Sequence, residues 1–321
     1  MFTALLHGLL LLGFMILVDP AQAQGGFPSQ TIRIVNAFPP GGPSDIASRL
    51  LAEKMRLALK QTVVVENKAG AGGNIAAAEV AKSAGDGYTI LSGIDTIFTV
   101  NPAIYAQMPF TLQDLKPLVV MASSGLLVGA HPGVGAKSLS ELIAKAKAQP
   151  ILFSSGSNGS PGHLAAAILT DATGARITHV PYKGNSPAVL AVLSGEVQAG
   201  VLATPGMLPH VQAGKINALA VTSRARSVLA PDVPTTAEAG VKELEVEVIY
   251  LMMVPVSTPE AVMVVLRKAV QDGLAQPDVQ AQLGKLDMSI ESLVGAAAQE
   301  RITQQAQRFG RVIKATGMKI D

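Results

Sequence analysis

The stretch Ile32-Arg33-Ile34-Val35-Asn36-Ala37-Phe38-Pro39-Pro40-Gly41-Gly42-Pro43-Ser44-Asp45 joins a buried strand, a glycine-rich turn and a helix opened by proline. Ile151-Leu152-Phe153-Ser154-Ser155-Gly156-Ser157-Asn158-Gly159-Ser160-Pro161-Gly162-His163 repeats the device. The helical patterns that follow also match, Ile46, Ala47, Leu50 and Leu51 answering to Leu164, Ala165, Ile168 and Leu169. Such a unit aims bare backbone N–H groups at one point, and the helix end adds roughly half a positive charge. Two of them predict two lobes gripping one anion between them. A helix start with no ligand has the same local signature, so the pairing carries the expectation.

Gly41 and Gly42 lack side chains and let a ligand approach the backbone of the first turn. Asp45 repels an anion unless its carboxylate folds back onto N–H groups of its own helix. The second turn offers Ser155, Ser157, Asn158 and Ser160, with Ser160 placed as an N-cap. A third candidate is His179-Val180-Pro181-Tyr182-Lys183-Gly184-Asn185-Ser186-Pro187, where Tyr182 and Lys183 are placed to attract an anion. An ordinary surface loop reads the same way.

Outward from these turns, strands and helices alternate. Strands are predicted at 31–37, 63–66 and 88–91, with helices at 44–59 and 75–82. This βαβαβ pattern implies a parallel sheet. Further strands fall at 118–121 and 126–130. The alternation then restarts, with helices at 138–148, 161–173, 186–194 and 207–213 and strands at 151–153, 177–180, 197–203 and 217–221. An apolar strand at 246–254 returns to the first unit, followed by helices at 259–274, 277–283 and 297–316. The chain is therefore expected to cross between two α/β lobes twice, near 123–125 and 246–250. Lobe one takes 24–124 plus 248–321, lobe two takes 125–247, and the ligand cleft lies between them.

Composition narrows the function. Hydrophobic residues are 49% of the 321 and charged residues 15%. The net charge is +2, and Lys and Arg are scattered singly, so no nucleic-acid partner is expected. There is no cysteine, hence no thiol nucleophile, disulfide or Cys-based metal site. No zinc-protease, Walker A or dinucleotide motif occurs, and Gly156-Ser157-Asn158-Gly159-Ser160 is not a nucleophile elbow. No catalytic residue, metal or cofactor is expected. The apolar run 8–18 followed by Ala21-Gln22-Ala23 reads as a signal peptide at 1–23, although His7 is the only basic group ahead of cleavage.

A longer series of motifs resembles the tripartite tricarboxylate transporter solute receptors, also called Bug or TctC-like proteins. It includes Phe38-Pro39-Pro40-Gly41-Gly42, Glu66-Asn67-Lys68, Gly70-Ala71-Gly72-Gly73-Asn74, Asp86-Gly87-Tyr88, Gly159-Ser160-Pro161-Gly162-His163, His179-Val180-Pro181-Tyr182-Lys183-Gly184, Leu208-Pro209-His210 and Pro231-Asp232-Val233-Pro234-Thr235. The resemblance covers nearly all of the chain after the leader. It implies a type II-like periplasmic binding protein, each lobe a largely parallel sheet flanked by helices. It also implies a monomer that binds a small organic carboxylate and delivers it to the membrane subunits of the transporter. Carried over by position, the ligand-binding residues are Phe38, Pro40, Gly41, Gly42 and Asp45 in lobe one. In lobe two they are Ser155, Ser157, Asn158, Gly159, Ser160, His163, Tyr182, Lys183, Gly184 and Leu202.

Departures from the family pattern point to the ligand. Ser157 stands where a glycine is usual, Ile97 and Phe98 replace Thr-His, Leu202 replaces an Asp, and Ile249-Tyr250-Leu251 replaces Trp-Tyr-Gly. Placed toward the cleft or hinge, they imply a less polar pocket, suited to a monocarboxylate with an apolar body and unsuited to an amino acid. Two other functions fit the same chain: a secreted α/β hydrolase or esterase, and a receptor that signals to a membrane kinase.

Overall fold

The computed structural model describes residues 26–319, so the leader at 1–23 lies outside the described residues. In chain order the main elements are β1 (Ile32–Asn36), α1 (Pro43–Leu59), β2 (Val63–Asn67), α2 (Asn74–Ala81), β3 (Thr89–Ile94), α3 (Thr96–Thr99), α4 (Asn101–Ile104), β4 (Leu115–Ser124), β5 (Leu126–Ala130), α5 (Leu139–Ala148), β6 (Ile151–Ser155) and α6 (Pro161–Thr173). There follow β7 (Ile177–Pro181), α7 (Asn185–Ser194), β8 (Ala199–Ala203), α8 (Thr204–Gln212), β9 (Asn217–Val221), β10 (Val248–Pro255), α9 (Glu260–Leu274), α10 (Pro277–Gly284), β11 (Ser289–Leu293) and α11 (Gly295–Thr316).

They build two sheets, ordered β11-β4-β10-β3-β1-β2 and β7-β6-β8-β5-β9. Neither is largely parallel, which corrects the expectation from sequence. β1 runs parallel to β2 and β3, but β10 lies antiparallel between β3 and β4, and β11 is antiparallel to β4. In the second sheet β6 is parallel to β7 and β8, whereas β5 is antiparallel to β8 and β9. The cause is the path between the sheets: β5 enters the second sheet and β10 re-enters the first, each against the direction of the βαβ unit beside it. β11 and α3 were not predicted, and α8 starts three residues ahead of its expected position, at Thr204-Pro205.

The helices cover the sheets with faces that the sequence encodes. In α1, Ala47, Leu51, Ala52 and Met55 are buried at helical spacing, and α9 packs against it. Full burial of Leu51 or Met55 stabilises by roughly 1.5–3 kcal/mol each. α1 stops at Lys60, which takes a left-handed conformation. Ile97 and Phe98 are core residues, not cleft residues as expected. A Cβ on Gly73 or Gly93 would lie 2.6 or 2.9 Å from Ile97 Cδ1, and Phe98 meets Phe110 edge-on at 6.1 Å.

The chain passes between the sheets at Gly125 and again at Glu247, and the buried Thr222 ties both passages together. Its N–H donates to Leu126 O at 2.8 Å and its carbonyl accepts from Val246 N–H at 3.0 Å. Its hydroxyl accepts from Leu126 N–H at 2.8 Å and donates to Val246 O at 2.6 Å.

Candidate anion-binding cleft

Local chemistry holds the first turn open. The Gly41 N–H donates to Asp45 Oδ2 at 2.9 Å, with Gly41 at φ +78°. Asn67 Nδ2 donates to Asp45 Oδ1 at 2.8 Å and to Phe38 O at 3.0 Å, and Arg49 lies 3.0 Å from the same carboxylate. Burial opposes ionisation of Asp45, but Arg49, the Gly41 amide and Asn67 outweigh it and hold the carboxyl below its usual range. The charge is therefore folded back and neutralised. Gly42 caps α1 without a side-chain acceptor, which leaves first-turn N–H groups facing outward.

In the second turn Ser160 caps α6, accepting the His163 N–H at 3.3 Å. Ser160 Oγ donates to Ser155 Oγ at 3.0 Å, and Ser155 Oγ donates to Ser157 O at 3.0 Å and meets His179 Nε2 at 2.6 Å. Gly159 N–H donates to His163 Nδ1 at 3.1 Å. Burial pushes His163 down to about 4, and burial with the neighbouring His163 pushes His179 down to about 3.

A third helix start completes the site. Gly184, at φ +113°, caps α7 with no side-chain acceptor, and its N–H is tied to Gly156 O at 2.7 Å. That bond sets the α7 terminus beside the second turn. The sequence signal for it was Gly184-Asn185-Ser186-Pro187, a glycine and then a proline inside the first helical turn.

The cleft between the sheets has a volume of ≈ 310 Å³. Ser44, Ser157, Ser160, Lys183, Asn185 and Ser186 give it a polar rim. Ile94, Leu126, Val201, Leu202, Val248 and Tyr250 give it an apolar floor. Lys183 is the only charged side chain among the described residues that line it. Of the residues expected from sequence, Phe38, Pro40, Gly42, Ser157, Ser160, Lys183, Gly184 and Leu202 line the cleft. Gly41, Asp45, Ser155, Asn158, Gly159, His163 and Tyr182 lie outside that lining. Asp45 and Ser155 are turned inward to hold their turns. Tyr182 faces away, donating to Glu196 Oε1 at 2.7 Å, and burial and Glu196 push its phenol up to about 12. His163 and His179 line a separate groove of ≈ 380 Å³ between α6 and the end of α11.

Sequence reasoning pointed to Leu202 and to the segment Ile249-Tyr250-Leu251 but missed the rest of the floor, Ile94, Leu126, Val201 and Val248. Tyr250 alone of Ile249-Tyr250-Leu251 faces the cleft, because neighbouring strand residues point to opposite faces. Its hydroxyl lies 3.2 Å from Ser124 Oγ, and burial pushes its phenol up to about 12. Behind it Asp95 Oδ1 accepts the Ile249 N–H at 3.0 Å, and burial pushes this carboxyl up to about 6.

Known proteins share this fold. The profile of the tripartite tricarboxylate transporter family receptor, TctC, matches residues 47–318. Protein BugT of Bordetella pertussis is 34% identical over 300 residues, 92% of this chain and 91% of its own. The structure of R. palustris Rpa4515 with adipate superposes with a TM-score of 0.85 at 29% identity, covering 92% of this chain and 99% of that one. MatC from Rhodopseudomonas palustris with bound malate gives 0.80 at 26% identity, covering 90% of this chain and 100% of that one. The family match across residues 47–318 and the 34% identity over 92% of the chain place it in the tripartite tricarboxylate transporter receptor family.

Proposed function

We propose that this receptor captures a small monocarboxylate with an apolar body and hands it to the membrane subunits of a tripartite tricarboxylate transporter. The receptor works as a monomer in the periplasm after loss of 1–23, without cofactor or catalytic chemistry. Residues 24–124 plus 248–321 form one jaw and residues 125–247 the other. One observation carries the ligand class: three helix starts and Lys183 share one rim, opposite a floor of Ile94, Leu126, Val201, Leu202, Val248 and Tyr250. A single carboxylate satisfies the N–H groups within the field of the lysine, while an apolar body removes the floor from water at roughly 25 cal/mol per Å². A second charged group would lie against that floor without a partner.

The contact between Ser155 and His179, 2.6 Å, has the length of a nucleophile–base pair. Ser155 is 0% exposed and its hydroxyl serves the turn, which favours the receptor over a hydrolase.

Calorimetry and thermal shift on the exported chain test the ligand class. Benzoate, phenylacetate and 4-methylvalerate are expected to bind, and aspartate, glutamate and adipate to bind at least tenfold more weakly. Tight binding of aspartate or glutamate with no response to the apolar acids sinks the proposal.

A further inference from the structure

Behind the second turn, hydrogen bonds run from the cleft rim to a pair of stacked histidines that the cleft does not touch. Ser155 Oγ is their junction. It accepts the Ser160 hydroxyl at 3.0 Å, donates to Ser157 O at 3.0 Å and meets His179 Nε2 at 2.6 Å. A serine hydroxyl has one proton. With that proton on Ser157 O, the contact with His179 needs an imidazole donor, which puts the ring proton of His179 on Nε2. In His163 the Nδ1 atom accepts the Gly159 N–H at 3.1 Å, so its proton is also on Nε2. The two rings stack 3.8 Å apart at 5°, a spacing that disfavours charging both.

With both tautomers assigned, each proton in the turn has a direction. The Nε2–H of His179 and the hydroxyl of Ser160 converge on Ser155, and the His163 N–H points at Ser160 Oγ. Ser160 spends its proton inward, so its hydroxyl is not a donor to the anion. We infer that Ser155 and His179 are positioning residues for ligand capture, fixing the shape of the 156–160 turn and the proton direction of Ser160 without touching the ligand. This rests on the carboxylate reading of the cleft.

The variants Ser155→Ala, His179→Phe and His179→Gln test it, with benzoate, phenylacetate and 4-methylvalerate as probes. Phe keeps the ring and its stacking but has no N–H, whereas Gln keeps a donor. The Ala and Phe variants are expected to lose at least tenfold in affinity and the Gln variant less than threefold, all three unfolding cooperatively. A merely structural role lowers the melting temperature without separating Phe from Gln. Nitrogen-detected NMR of the wild-type histidines is independent of ligand and of variant folding, and both rings are expected as neutral Nε2–H tautomers. A wild-type chain that binds the acids together with a Phe variant that binds them equally well overturns the inference alone. An Nδ1–H tautomer for His179 overturns it on its own. A wild-type chain that ignores every acid overturns the carboxylate reading and this inference with it.

Discussion

The Asp45 carboxylate accepts the Gly41 amide proton at 2.9 Å, closing the first turn from behind. An acidic residue is thus spent on building the first turn of the proposed anion site. Asp45→Ala leaves the Gly41 N–H without its acceptor and takes one acceptor each from Asn67 and Arg49, and a loss of roughly 1–3 kcal/mol is expected. Asp45→Asn keeps an acceptor and should fall between. Urea unfolding measures both, and an Ala variant as stable as wild type would contradict the assignment.

Lys183 is exposed at the rim, so it acts on capture chiefly at a distance. Lys183→Met is expected to slow association with a carboxylate several-fold at low salt, and the difference should vanish near 0.5 M salt as screening shortens to a few Å. Stopped-flow association across ionic strengths reads this directly. A difference independent of salt would point to direct contact instead.

Leu202 tests the apolar floor. Leu202→Asp sets a buried carboxylate against the ligand, and affinity for apolar acids is expected to fall at least a hundredfold. Leu202→Met conserves volume and should cost less than tenfold. Equal binding by all three proteins in calorimetry would remove Leu202 from the site.

Thr222 joins both passages between the sheets through its hydroxyl. Thr222→Val keeps the shape but strands Leu126 N–H and Val246 O, at roughly 1–3 kcal/mol for each buried group. Hydrogen exchange at Leu126 should accelerate more than in the centre of either sheet. Uniform acceleration would assign the loss to global stability alone.

Acid should destabilise the fold. His163 and His179 lie at about 4 and about 3, below the usual 6.5, so between those values the unfolded chain binds protons that the folded chain refuses. Their contribution is present above about 6.5 and is lost as pH falls through the folded values. Asp95, raised to about 6 from 3.8, works the other way: its contribution is full below about 3.8 and is lost as pH rises through about 6. Asp287, also raised by burial, acts in the same sense as Asp95, and the two histidines, each moved further than Asp95, give a melting temperature that declines from pH 7 to 4. The double variant His163→Phe, His179→Phe should show a flatter decline, and a slope equal to wild type would rule out the pair as its source.

Much of the fold was legible because periodicity and punctuation are local. The apolar spacing of α1 and α6, the N-cap Ser160 and the glycine–proline turns were all readable from neighbouring residues. Strand direction was not: Val248–Pro255 is apolar throughout, and nothing within it says that it runs antiparallel between β3 and β4. The rim was half legible for the same reason. Ser157, Ser160 and Lys183 stand on turns that announce themselves. The floor comes from four strands, β3, β5, β8 and β10, and apart from Leu202 and Tyr250, which departures from the family pattern marked, its side chains look like any other core until the two sheets are brought to one cleft. Asp45 and His163, read as ligands by motif alone, are bonded within the turns that bear the candidate site.

The place of β10 also sets a timetable for biogenesis. Strands β5 to β9 are contiguous, so the second sheet has all its parts once the chain has been made through Val221. The first sheet lacks its middle until Val248–Pro255 arrives, and until then β3 and β4 each offer an open edge to any passing strand. Chains interrupted in that interval would pair one finished half with one unzipped half, and aggregation and proteolysis would begin at β3 and β4.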